Sequence, residues 1–127
     1  MPYTVVDGKW HHLCMTWLTT NQHGKLKVYV DGILRLEKVL GIIIPKGAIV
    51  LGQEQDSYKG DFESSQSLQG NLTSVNMWDR VLTAQEISEL AKSCTAGEGN
   101  IVKWSDLKDK GEGEVKLINT SACGPGL

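Results

Sequence analysis

Residues 25–39, KLKVYVDGILRLEKV, are the stretch that decides the fold class. The first half alternates between apolar and mostly charged side chains, which is the period of a β-strand. The side chains predicted to face inward are Leu26, Val28 and Val30, and those predicted to face outward are Lys25, Lys27 and Tyr29. Asp31-Gly32 then favours a type I′ turn, because both central residues of that turn need positive φ. Residues 33–39 are predicted to return as the partner strand of a hairpin.

Other short apolar segments extend this β-pattern along the chain. Residues 9–17 alternate with little charge on either face, which predicts a strand buried on both sides and followed by a loop at 19–24. Further strands are predicted at residues 48–52, 70–79, 100–104 and 114–118. Thr83-Ala84-Gln85-Glu86 is a capping box, so one short helix is predicted over Ala84–Lys92. These elements indicate an all-β, antiparallel sandwich that carries one helix.

Composition limits the classes of function. The 127 residues suffice for one domain, and a net charge of −2 with no basic stripe argues against nucleic-acid binding. No apolar run is long enough to span a membrane. The first ten residues lack the charged and apolar regions of a signal peptide. Adjacent His11 and His12 are expected on opposite faces of a strand, which argues against zinc chelation.

The most distinctive polar segment is the acidic loop, residues 52–68, GQEQDSYKGDFESSQSL. It holds four carboxylates, at Glu54, Asp56, Asp61 and Glu63, and only Lys59 opposes their charge. Glutamine amides add further oxygen atoms. Calcium takes six to eight oxygen ligands in flexible geometry, so this composition is compatible with a calcium site. A solvated acidic surface loop is the alternative on composition alone.

Several motifs in order resemble the pentraxin family. His12-x-Cys14-x-Thr16-Trp17-x-Thr19 matches its signature H-x-C-x-[ST]-W-x-[ST] at every position. The segments GQEQD at 52–56, SQSL at 65–68, VNMWD at 75–79 and GNIVxW at 99–104 continue the resemblance. It implies a secreted, jelly-roll, lectin-like module of the concanavalin A-like kind. Pentraxins bind phosphate- or carboxylate-bearing ligands or glycans through calcium, assemble as homo-oligomers, and include proteins of innate immunity.

The resemblance also implies a set of metal ligands. They are the side chains of Glu54, Asp56, Glu63 and Gln66 and the backbone carbonyl of Gln55, whereas Asp61 falls at a variable position. The whole chain, residues 1–127, corresponds to the C-terminal part of a pentraxin domain, with the N-terminal strands absent. We therefore expect weak or partial Ca²⁺ binding. An N-terminal Asp-Asn pair of the family, which would complete the inner calcium site, lies outside this chain.

Three cysteines and two sequons complete the sequence features. In the family Cys14 pairs with an upstream cysteine that is absent here, so we expect a free thiol or an intermolecular bond. Cys94 and Cys123 are candidates for a disulfide, which on the chain-entropy model contributes roughly 3–4 kcal/mol. Asn71-Leu72-Thr73 and Asn119-Thr120-Ser121 are candidate glycosylation sites, compatible with an extracellular protein.

Two other classes of function compete with calcium-dependent binding. A jelly-roll glycosidase would need paired carboxylates on one strand. Glu54-x-Asp56 begins that pattern, but no second glutamate follows at the needed spacing. The other alternative is a structural or interaction domain of a larger adhesion receptor, without a working calcium site. The sequence favours a non-catalytic binding module, which inserts no segment into a membrane.

Overall fold

The computed structural model describes residues 6–20, 23–41, 51, 68–93, 96–107, 109–111 and 116. Within these residues, three strands form one antiparallel sheet in the order β1-β2-β3. Their bounds are Leu13–Thr20 for β1, His23–Val30 for β2 and Ile33–Leu40 for β3. The described part of the chain then adds two helices, α1 over Ala84–Lys92 and the single turn α2 over Trp104–Leu107.

The predicted hairpin between β2 and β3 is confirmed. Asp31 and Gly32 have φ angles of 53° and 82°, as a type I′ turn requires. The turn also touches the helix, because a Cβ added at Gly32 would lie 3.3 Å from the Cα of Ser88 and 3.4 Å from the Cβ of Ala91. Gly32 therefore permits both the turn conformation and the close approach of α1.

The connection between β1 and β2 is tighter than predicted. Thr19 pairs with Gly24 and Thr20 with His23, so the predicted loop over residues 19–24 is wrong at these positions. Gly24 is buried beneath the indole of Trp17, and a Cβ there would collide with the ring. Cross-strand packing of this kind extends a ladder through polar residues that local propensity assigns to a loop. The first strand correspondingly begins at Leu13 rather than at residue 9.

The face of β2 that carries Tyr29 is covered, contrary to prediction. Tyr29 is 5% exposed and forms a buried cluster with Leu82 and Ile87. The partly buried residues packed against this cluster are Cys14, Trp78 and Leu90. Alternation places Tyr29 opposite Val28, and α1 supplies an apolar layer on the Tyr29 side. The outward assignment of Tyr29 was wrong because the covering layer comes from a segment more than fifty residues away.

The opposite face of β1 is open, so the predicted burial of this strand on both sides is wrong. Met15 is 71% exposed, while its neighbour Thr16 is buried. Thr16 lies on the same face as Cys14 and Tyr29, beside the helix-covered cluster. Met15 alternates away from that cluster, and the helix therefore leaves it open to solvent.

The strands predicted at 70–79 and 100–104 do not form. Gly70 and Ser74 have φ angles of 146° and 57°, which interrupt an extended ladder. Pairing is limited to an isolated antiparallel bridge between Met77 and Val102, and Trp104 begins α2. The strands predicted at 48–52 and 114–118 lie outside the described residues, apart from Leu51 in a bend and Lys116.

The helix α1 has the bounds that were predicted, and its capping box is confirmed. The Oγ1 of Thr83 accepts the N–H of Glu86 at 3.1 Å, and the N–H of Thr83 donates to Oε1 of Glu86 at 3.0 Å. Arg80 adds a bidentate contact to the Glu86 carboxylate at 2.9 and 2.6 Å. Hydrogen bonds from Arg80 first, and from the Thr83 backbone second, lower the pKa of Glu86 to about 2. Glu86 therefore stays ionised at physiological pH.

Replacing the capping threonine should weaken the domain. We expect Thr83→Ala to lower the free energy of unfolding by about 1 kcal/mol, because the N–H of Glu86 loses its acceptor. Urea unfolding followed by far-UV circular dichroism measures this difference. Thr83→Ser is the matched control, since it keeps the hydroxyl. Equal stabilities of the alanine and serine variants would contradict this role for the cap.

Candidate functional site

The described residues reach the acidic loop at Leu51, which precedes it, and at Leu68, its last residue, and both are exposed. The five predicted calcium ligands, Glu54, Gln55, Asp56, Glu63 and Gln66, lie outside the described residues. Their assignment therefore stays a prediction. The same holds for Cys94, Cys123 and Asn119, whereas Asn71 is described and its side chain is exposed, as a glycosylation site requires.

The chain that leaves the acidic loop is held by the side chain of Asn76. Its Oδ1 accepts the backbone N–H groups of Gly99 at 3.1 Å and Trp104 at 3.2 Å. Its Nδ2 donates to the carbonyl of Ser74 at 3.1 Å. The amide is therefore a structural clamp, which joins residues 74–76 to the segment that leads into α2.

Backbone and side-chain contacts continue this clamp. The N–H of Met77 donates to the carbonyl of Val102 at 3.0 Å, and its own carbonyl accepts the N–H of Ile101 at 3.0 Å. Asp79 and Asn100 exchange two hydrogen bonds, at 3.1 and 2.8 Å. The clamp, residues 74–79 with 99–104, fixes the path of the chain after the acidic loop.

A second polar cluster lies at the start of β1 and was missed by sequence reasoning. Nε2 of His11 lies 2.8 Å from Oδ1 of Asp7, and its Nδ1 lies 2.8 Å from Oδ2 of Asp31. The other oxygen of Asp31 accepts the backbone N–H of His12 at 2.9 Å. The side chain of His11 is 13% exposed, between two carboxylates that are more accessible.

The charges of this cluster support one another. Hydrogen bonds to Asp31 first, and to Asp7 second, raise the pKa of His11. The hydrogen bond from His11 is also the largest cause that lowers the pKa values of Asp7 and Asp31. A signal was present in the sequence. That signal is the four-residue spacing of Asp7 and His11, whereas Asp31 comes beside His12 only through the pairing of Val30 with Leu13 in the folded sheet.

Cys14 is a half-buried thiol without a disulfide in this single chain, and the choice between a free thiol and an intermolecular bond stays a prediction. Burial raises the pKa of the Cys14 thiol, which disfavours the reactive thiolate. Its contacts with the buried cluster of Tyr29, Leu82 and Ile87 give it the role of a small apolar side chain in this chain.

The described part of the chain contains neither a cluster of metal-ligand side chains nor a membrane-spanning helix. Within residues 6–20, 23–41, 68–93 and the shorter described segments, no three His, Cys, Asp or Glu side chains group as metal ligands. Among the helices described there, none has the length and apolarity to cross a membrane.

Comparison with known proteins identifies the family. The Pentaxin family model matches residues 2–118. Neuronal pentraxin-2 of Homo sapiens is 44% identical over 115 residues, covering 84% of this chain and 25% of that protein. Neuronal pentraxin-1 of Homo sapiens is 40% identical over 128 residues, covering 97% of this chain and 29% of that protein.

A third relative has a different domain context. The Sushi, von Willebrand factor type A, EGF and pentraxin domain-containing protein 1 of Rattus norvegicus is 38% identical over 125 residues. The match covers 93% of this chain and 3% of that protein, so the chain spans only a small part of the relatives described here. The family match confirms the resemblance and the jelly-roll fold class predicted from the sequence: this chain belongs to the Pentaxin family.

Proposed function

We propose that this chain is an extracellular, non-catalytic module that binds ligands through calcium held by the acidic loop. The observation that carries the proposal is the family match over residues 2–118, which includes the whole loop. The chemistry of the loop supports it independently, because its donor atoms are the oxygens that calcium prefers.

The donor set fits calcium better than a transition metal. Glu54, Asp56 and Glu63 offer carboxylates, Gln66 an amide oxygen, and Gln55 a backbone carbonyl. The set contains no imidazole or thiolate, which zinc and copper favour. Five positions approach the six to eight oxygens of one calcium ion, with bidentate carboxylates making up part of the difference. A second ion would have too few ligands in this set, so we expect weak or partial binding.

A bound calcium ion would supply positive charge next to a negatively charged loop. That charge would attract ligands with phosphate or carboxylate groups, or glycans whose oxygens complete the coordination. The residues of this chain would then hold the ion, and the clamp around Asn76 would fix the segment that follows the loop. Homo-oligomer formation, which the family resemblance implies, would increase the avidity of several weak sites.

Calorimetric titration of the full chain with CaCl₂ tests this proposal. We expect heat of binding from the parent chain and at least a tenfold loss of affinity in Glu63→Ala, because one carboxylate ligand is removed. Asp61→Ala is the matched control, since it removes a carboxylate of the same loop at a position outside the predicted set. It should bind calcium with an affinity close to that of the parent.

Two results would contradict the calcium proposal. One is absence of binding heat from the folded parent chain at millimolar calcium. The other is an equal loss of calcium affinity in Glu63→Ala and Asp61→Ala, which would indicate general attraction of cations to an acidic surface.

A second candidate is an interaction domain of a larger adhesion protein, without a working calcium site. The observation that favours it is the 38% identity to a rat protein whose name lists Sushi, von Willebrand factor type A, EGF and pentraxin domains. In such a protein the module contributes an interaction surface to a long chain. The same titration separates the two candidates, because the second requires no calcium-dependent heat.

A further inference from the structure

The cluster of Asp7, His11 and Asp31 has a geometry that requires a particular protonation state. Both ring nitrogens of His11 lie 2.8 Å from carboxylate oxygens, which accept hydrogen bonds and cannot donate them when ionised. A neutral imidazole carries one N–H, so one of the two contacts would then oppose a lone pair to a carboxylate. Only the imidazolium, with an N–H on each nitrogen, satisfies both contacts.

The two carboxylates belong to different parts of the fold. Asp7 lies in the segment that enters β1, and Asp31 lies in the turn between β2 and β3. That turn packs on α1, because Gly32 approaches Ser88. We propose that Asp7, His11 and Asp31 form a pH-dependent latch, in which protonated His11 holds residues 6–10 against the hairpin turn and deprotonation releases them.

The anchoring of the two carboxylates decides which contact opens. Asp31 is also fixed by the backbone N–H of His12, at 2.9 Å, and by its place in the turn. Asp7 receives another hydrogen bond from the backbone of Lys9, at 3.0 Å, but this bond lies within its own segment. Deprotonated His11 therefore keeps its contact with Asp31 and loses the one with Asp7.

The charged groups that face the latch set its pH range. Asp31 and Asp7 raise the pKa of His11. Besides His11, Lys9 lowers the pKa of Asp7, and His12 lowers the pKa of Asp31. The pKa of His11 is raised from its ordinary value of 6.5, so its stabilising contribution is fully present below 6.5 and is lost as the pH rises through the raised value. The pKa values of both carboxyls are lowered from 3.8, so their contributions are present above 3.8 and are lost as the pH falls through the lowered values. The latch is closed between these limits and opens on the alkaline side.

Nuclear magnetic resonance of the full chain tests the latch. The Cε1–H signals of His11, His12 and His23 are followed from pH 5 to 9, together with the backbone amide of Lys9. We expect His11 to titrate above 6.5 and the Lys9 amide to shift with the same midpoint. Asp7→Asn should lower the midpoint of His11 and remove the pH response of the Lys9 amide. Asp109→Asn removes one negative charge at an exposed position that is not among the groups acting on His11, and it should change neither.

The outcomes separate a latch from a fixed structural contact. A His11 titration midpoint at or below 6.5 would overturn the proposal. It would also be overturned if the chemical shift of the Lys9 amide did not change as His11 titrates. An unchanged midpoint in Asp7→Asn would do the same. Asp31→Asn provides a second test, since asparagine also suits a type I′ turn and can still accept the His12 N–H. It should lower the His11 midpoint in a folded protein, and an unchanged midpoint would count against the latch.

Discussion

Gly99→Ala should disrupt the clamp that holds the chain after the acidic loop. Gly99 is buried, and a Cβ at this position would collide with the carbonyl oxygens of Met77 and Val102 and lie 2.7 Å from the nitrogen of Met77. All three are backbone atoms, which cannot move aside by changing a rotamer. Relief requires residues 77 and 102 to separate, with loss of their bridge. Overpacking and the lost hydrogen bonds together should lower the free energy of unfolding by roughly 2–4 kcal/mol.

The neighbouring glycine provides a matched control for this experiment. A Cβ at Gly97 would meet only the Cδ2 of Leu90 at 3.5 Å, an ordinary van der Waals contact. Gly97→Ala should therefore leave stability within about 0.5 kcal/mol of the parent, as for other exposed substitutions. Chemical unfolding measures both variants, and amide hydrogen exchange at Met77 and Val102 reports the clamp directly. Equal effects of the two substitutions would show that close packing at Gly99 is not what holds the clamp.

The elements that sequence reasoning predicted correctly are those specified by contiguous residues. The turn at Asp31-Gly32 depends on two residues that tolerate positive φ, and the start of α1 depends on the reciprocal bonds of Thr83 and Glu86. In both cases the physical cause lies within about four positions of the chain. The bounds of α1 and the pairing of β2 with β3 were predictable for this reason.

The errors concern features that depend on distant segments. Tyr29 was assigned to the outer face because lysines alternate with apolar residues around it, but α1 covers that face with Ile87. The extended character of residues 70–79 was inferred from apolar content, yet Ser74 adopts a positive φ and Asn76 satisfies backbone groups across the clamp. The helix itself has a local signature in its capping box, but neither its packing on the Tyr29 face nor the long-range contacts of the Asn76 amide have one.

The two polar clusters differ in the same way, since one is contiguous in the chain and the other is assembled from distant residues. The acidic loop stands out in the sequence because its oxygen donors are concentrated in seventeen residues, and its assignment as a calcium site stays a prediction. The His11 latch was missed because Asp31 lies 20 positions from His11 and becomes its neighbour only through the register of β1 on β2. A sequence reading that had placed the hairpin turn beside the start of β1 would have brought the two together.

Ile87→Ala should produce the other large loss of stability. The side chain of Ile87 is 0% exposed and belongs to the buried cluster with Tyr29 and Leu82, where α1 meets the sheet. Truncation removes buried methyl and methylene groups and leaves a cavity that rigid neighbours fill only in part. We expect the free energy of unfolding to fall by about 2–4 kcal/mol, a large share of the roughly 5–15 kcal/mol typical of a domain.

The cavity should also be detectable at Cys14, which packs against the same cluster. Opening the cluster gives solvent access to the thiol, so alkylation of Cys14, followed by mass spectrometry, should be faster in Ile87→Ala than in the parent. Ile101→Ala is the matched control, because the same atoms are removed from a side chain that is 57% exposed. It should have a much smaller effect than Ile87→Ala on both the free energy of unfolding and the rate of Cys14 alkylation. If both substitutions lower the free energy of unfolding by the same amount, the helix–sheet contact at Ile87 is not the main apolar support of this fold. If Ile87→Ala alone destabilises the protein and exposes Cys14, the covering of the Tyr29 face by α1 is what holds the sheet and helix together.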